Sequence, residues 1–132
     1  MNIVEQTKIS SVCRACLSTN TFTLAVRPSL DVKSTTILAN SLVSSRLDYY
    51  NSLYYELPDT SLDRLQRIQN SLARVVLPSF TRNHHITPAL HRLHWLPIRQ
   101  RIMFKIATIT YKTLFHSQPS YLHSLLKTHN SF

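Results

Sequence analysis

Not one of the 132 residues is glycine. Average usage near 7% would supply about nine. Backbone that must approach a phosphate closely, as in Walker or dinucleotide-binding loops, needs glycine, so both nucleotide-loop architectures are excluded together. Tight β-hairpins built on Asn-Gly or Asp-Gly turns are disfavoured as well. What remains is a series of helices separated by the six prolines, Pro28, Pro58, Pro78, Pro88, Pro97 and Pro119, which cut the chain into segments of helical length. The chain is long enough for one small core and too short for a multi-domain enzyme.

Fifteen Lys and Arg stand against six Asp and Glu, giving +9 with His neutral and a pI of about 10.1. Such a surface attracts polyanions at neutral pH, and nucleic acid leads the partners this charge favours. No segment approaches the ~18 apolar residues of a spanning helix, and the opening MNIVEQTK lacks the apolar core of a signal peptide, so no membrane partner is expected. Two cysteines, Cys13 and Cys16, are too few for a disulfide framework and suit a reducing, intracellular compartment, nuclear or cytoplasmic.

Apolar spacing supplies the helices. Ile9, Val12, Cys13 and Cys16 follow a helical period, but TNTFT after them favours extended or loop structure, so this helix is expected to stop near Leu17. Asp31 reads as an N-cap, followed by the stripe Ile37, Leu38, Leu42, Val43 and Leu47, with Leu53, Tyr54 and Leu57 continuing towards Pro58. The clearest helix is DTSLDRLQRIQNSLARVV. Thr60 and Asp63 resemble a capping box, and Leu62, Leu65, Ile68, Leu72, Val75 and Val76 form its buried stripe. Arg64, Arg67, Ser71 and Arg74 line the opposite side, which suits either a solvated charged face or one that meets phosphate. Residues 79–90 read as a loop leading into a short helical turn. Pro97 then suits the first turn of a helix from Ile98 to Phe115, with Trp95 folded back as a hydrophobic staple. Because that helix is apolar around most of its circumference, it is expected to be the most buried element. Only Arg101, Lys105, Thr108 and Lys112 form a polar strip. A short helix from Ser120 to Leu126 and a polar tail, 127–132, end the chain.

Catalytic constellations are weak. CRAC and HRLH could supply four zinc ligands on paper, but the pairs lie far apart, and CxxC in a helical pattern also serves as small apolar filling. A thioredoxin-like role needs a βαβ context that is missing. The six carboxylates form no DxD, DD or ExxH cluster, and no G-x-S-x-G elbow exists. Basic residues interleaved with aromatics and His fit nucleic-acid contact better: Arg82, His84, His85, His91, Arg92, His94, Trp95, Arg99 and Arg101. Within that set Trp95 reads first as a core anchor, and His94 as a hydrogen-bonded structural residue rather than a ligand.

The order of sequence words KISSVCRAC, VRPSL, SRLDYYNSLYYELP, LDRLQRIQNSLARVV, HITPALHRLHWLPIRQRIMFKI, TYKTLF and PSYL, from Lys8 to Leu126, resembles the region just after the catalytic palm in LINE-type (non-LTR) retrotransposon reverse transcriptases. The most specific part is HITPAL followed by LHWLP and the Arg-Ile-x-Phe-Lys helix. The resemblance implies a helical, thumb-like region that holds a template-primer duplex beside a palm absent from this sequence. The family's aromatic-Ala-Asp-Asp motif has no counterpart, and without carboxylates to hold two Mg²⁺ ions no phosphoryl transfer is expected. Met1 just upstream of the resembling stretch reads as a frame opening inside a truncated element. Departures from the family pattern fall at Asn20 to Ala25, at Tyr50, and at Glu56 and near Ser117, where the family has Gly. Replacing Gly at a helix C-terminus is expected to force another residue towards positive φ, at about 1 kcal/mol per site.

The expectation is an all-α fragment of four to six Pro-punctuated helices without a sheet, divided into an N-terminal helix and linker (1–30), a helical thumb-like region (31–126) and a tail (127–132), with 60–77 and 98–115 as the core pair. No cofactor or metal is expected. The expected function is non-specific contact with RNA or DNA backbone through Arg64, Arg67, Arg74, Arg99, Arg101, Lys105 and Lys112. A host-recruited protein-interaction module, or a remnant without function, is the alternative.

Overall fold

A computed structural model describes residues 3–41, 45–49, 54–55 and 57–126. Leu42, Val43, Tyr50, Leu53, Glu56 and the tail, all named above, lie outside the described residues. Four helices have eight or more residues: α1 (Ile3–Val26), α2 (Val32–Ala39), α4 (Asp59–Val76) and α6 (Ile98–His116). Three are shorter: α3 (Ser45–Tyr49), α5 (Thr87–Arg92) and α7 (Ser120–Leu125). No strand occurs among the described residues, and the fold is all-α.

The fold is organised around α4. Its buried side is Leu62, Leu65, Ile68, Gln69, Leu72, Ala73 and Val76, a stripe repeating every three or four residues. Val75 is only half-buried, and Gln69 and Ala73 take its place on the inner face. α1, α2, α5 and α6 all pack on α4, while α7 packs on α6. The most extensive of these contacts is with α1, so α4 pairs with α1 rather than chiefly with the helix beginning at Ile98.

α1 runs well past Leu17. Its inner face continues as Val12, Cys13, Cys16, Thr19, Asn20 and Thr23, a helical period carried by small and polar side chains. Thr19 and Thr23 are satisfied locally, their hydroxyls donating to the carbonyls of Ala15 (2.9 Å) and Thr19 (2.8 Å). Asn20 is buried, and neither amide atom finds a hydrogen-bond partner among the described residues.

Asp31 caps α2, its carboxylate accepting from the Ser34 amide at 3.0 Å. Thr35 and Ala39 are buried on α2 while Ile37 points outward. The expected capping box at Thr60 does not form. The N-cap of α4 is Pro58, with no side-chain cap, and Asp63 holds Arg99 instead.

Two glutamines join α6 to α4. Gln66 Oε1 accepts from the Ile98 amide (2.8 Å), one of the donors that a helix start leaves open, and Gln69 Nε2 donates to the Leu96 carbonyl (2.9 Å). Trp95 is buried beside this joint and its indole Nε1 donates to Asn40 Oδ1 at 2.7 Å, tying the turn before α6 to the end of α2. Beyond its first turns α6 leaves the core. Of its nineteen residues Ile98, Ile102 and Thr113 are buried, with Ile106 packed on the core from outside. The expectation that α6 is the most buried element is therefore wrong: most of its apolar residues, Met103, Phe104, Tyr111, Leu114 and Phe115 among them, are exposed, whereas α4 carries seven buried residues.

Candidate nucleic-acid interface

The seven cations fall into three groups. Arg64, Arg67 and Arg74 project from the side of α4 opposite its core stripe, Arg64 and Arg67 exposed and Arg74 half-buried. Arg101, Lys105 and Lys112 share one edge of α6, with both lysines exposed. Arg99 lies apart, facing the first turn of α4. Arg74 sits about 16 Å further along α4 than Asp63, by the 1.5 Å rise per residue, so these groups do not form one compact patch.

Their partners differ. Arg99 reaches the carboxylates of Asp59 and, at 3.0 Å, Asp63; the hydrogen bonds it donates to Asp59 first and Asp63 second push the already high pKa of this guanidinium further up. Arg101 pairs with Asp48 at 3.2 Å from a side chain that is largely covered. The Arg99 pairs are exposed and screened by water, so a phosphate can compete with the carboxylates there, whereas Arg101 is held from a covered position. Arg64 and Arg67 have no carboxylate partner among the described residues, nor do Lys105 and Lys112. Arg64 acts instead across the helix pair: burial pushes the Cys13 thiol up, and the Arg64 charge partly offsets that shift.

All six carboxylates lie at or before Asp63. From Arg64 onward the chain has ten Lys and Arg, all seven His and no acidic residue. The basic exterior is therefore a property of α4 and everything after it.

The other sequence candidates divide clearly. Cys13 and Cys16 are buried against α4, and among the described residues no three His, Cys, Asp or Glu side chains gather to hold a metal ion. Trp95 is core and offers no stacking face. His94 is exposed, and its importance is in the backbone. With φ 55° it closes α5, its amide donating to His91 O (3.0 Å) while the Trp95 amide donates to Leu90 O (2.8 Å). This is the Schellman arrangement, with His at the position that usually takes Gly. Phe22, Tyr55 and Tyr121 are exposed on other elements, and on the outer side of α6 Phe104, Tyr111 and Phe115 stand together, with Tyr111 and Phe115 stacked at 4.7 Å. Their spacing is helical, but in a helix apolar all round, sequence alone did not say which stripe would stay outside.

Fold and surface together define a small all-α protein with a strongly basic exterior. No protein-family model, curated protein or solved structure matches the chain. Among the described residues no helix is long and apolar enough to cross a membrane.

Proposed function

We propose that this chain is a catalytically inactive piece of a LINE-type retrotransposon reverse transcriptase that binds RNA or DNA backbones without sequence preference. The observation that carries the binding reading is the charge division: ten Lys and Arg after Asp63 with no carboxylate among them, and Arg64, Arg67, Lys105 and Lys112 exposed without acidic partners among the described residues. Guanidinium and ammonium groups so placed meet phosphate oxygens and release counterions, which gives affinity and no base readout. The reverse-transcriptase origin rests on the ordered sequence words from Lys8 to Leu126, and the lack of activity on the missing Asp-Asp motif. Replacing Arg64, Arg67, Lys105 and Lys112 together by Glu is the test. All four are exposed, so the fold survives. Retention of wild-type affinity for an RNA–DNA heteroduplex would overturn the binding reading.

One observation favours a second reading. The outer side of α6 exposes Met103, Phe104, Tyr111, Leu114 and Phe115 at helical spacing, Phe104 at 65% and Phe115 at 70% of their full accessibility. Contiguous apolar surface of this kind marks a contact with protein. In the parent polymerase the palm would cover it; in a recruited module, a host protein would. A protein-interaction module keeps its partner after the charge reversals unless that partner is acidic.

A further inference from the structure

A cleft of about 440 Å³ opens where α1 and α4 both end, and three arginines line it: Arg27 just after α1, Arg74 in the last turn of α4, and Arg82 in the following loop. Ser71, Thr81 and Phe80 stand among them, the rest of the lining is apolar, and no lining residue is acidic. Asp59 and Asp63 neutralise Arg99 and Asp48 pairs with Arg101, but no carboxylate among the described residues pairs with these three arginines. Two of the guanidiniums are tethered by Nε alone, Arg27 to the Val75 carbonyl at 3.0 Å and Arg74, through a longer bond, to the Thr81 carbonyl at 3.4 Å. Their terminal nitrogens, the pair that grips a phosphate in fork geometry, are left for a ligand.

Charge fixes the kind of ligand. Each helix C-terminus contributes about half a negative charge, so α1 and α4 together supply roughly −1 against three guanidiniums. The remaining excess of about +2 is more than a singly charged phosphodiester needs and suits a phosphate monoester, which carries about −1.5 to −2 at neutral pH. The volume falls within the usual range for a small-molecule site, and Phe80 provides an apolar surface beside the cations. We infer that the Arg27–Arg74–Arg82 cleft binds a phosphate monoester carried on a nucleoside, either the phosphorylated end of a nucleic-acid strand or a free nucleotide. The site needs no glycine-rich loop, because side chains rather than backbone amides meet the phosphate.

This inference extends the nucleic-acid reading but stands on different residues, Arg74 excepted, and one experiment separates them. Single strands of roughly twelve nucleotides, within the span of known single-strand sites, carry a 3′ fluorophore and either a 5′-phosphate or a 5′-hydroxyl, and anisotropy reads their binding to the full chain. The phosphorylated strand should bind at least about ten-fold more tightly, the factor that a single charge-assisted hydrogen bond supplies. Adenosine 5′-monophosphate should remove that preference and adenosine should not. Arg82→Glu, in an exposed loop, and Ser71→Glu, on an exposed helix position, should each abolish it. Competition by inorganic phosphate as strong as by the nucleotide would overturn a role for the nucleoside. Equal affinity for the two strands, or a preference that survives Arg82→Glu, would overturn the cleft and leave general nucleic-acid binding standing. Nucleotide binding with no strand binding would uphold the cleft and overturn the proposed function.

Discussion

His94 and Ser117 hold left-handed backbone, at φ 55° and 53°, in a chain with no glycine to place there. For a residue with a Cβ that conformation costs about 1–2 kcal/mol, and Ser117 has no special tolerance for it. The resemblance placed a family Gly near Ser117, so this strain was legible before any coordinates. At His94 it was not, because HRLHWLP reads as a ligand-like cluster until the Schellman bonds are seen. Ser117→Gly should therefore raise stability by about 1 kcal/mol in urea denaturation, and no change would contradict the assignment. Asp31 offers a pH test. Its hydrogen bond from Ser34, side chain and backbone, holds the carboxyl below the usual carboxylate range. A depressed folded-state pKa stabilises above the unfolded value, about 3.9, and that stability is lost as pH falls through the folded pKa. Asp31→Asn keeps a capping oxygen but cannot titrate, so its denaturation midpoint should fall less steeply than wild type as pH drops from about 5 through the depressed folded pKa of Asp31.

Helices divide by how their buried faces are written. In α4 the stripe is carried by Leu62, Leu65, Ile68, Leu72 and Val76 at helical spacing, with Arg opposite, and the helix and most of its inner face followed from that pattern, while its cap and the burial of Gln69 and Ala73 did not. In α1 the inner face is Cys, Thr and Asn, residues whose propensities argue for turns or strands, and tertiary packing on α4 overrides them. α6 fails in the other direction: apolar on both sides, it gives no sign of which side finds a partner. Two substitutions separate these cases. Leu65→Ala, at a fully buried position, should cost about 2–5 kcal/mol, enough to unfold much of a marginally stable domain. Phe115→Ser, on the outer stripe, should leave the unfolding free energy in urea within about 0.5 kcal/mol of wild type. A large loss of stability from Phe115→Ser would mean that the outer face of α6 belongs to the core.

At the scale of the molecule, net charge was legible from composition, but its use was not. Three of the six carboxylates, Asp48, Asp59 and Asp63, bind Arg99 and Arg101, two of the seven expected phosphate contacts. Arg27, read only as part of VRPSL, turns out to face Arg74 and Arg82 across a cleft that joins segments far apart in sequence. Spacing along one helix can align Arg64 with Arg67, but it cannot report which residues of separate elements meet. The central claim, that this exterior binds nucleic-acid backbone, is tested most directly by titrating an RNA–DNA heteroduplex at a series of salt concentrations. Log K should fall linearly with log salt at a slope of roughly −3 to −6, at about 0.9 per neutralised phosphate, and with the same slope for unrelated sequences. No binding at low salt, or an affinity that salt leaves unchanged, would contradict it.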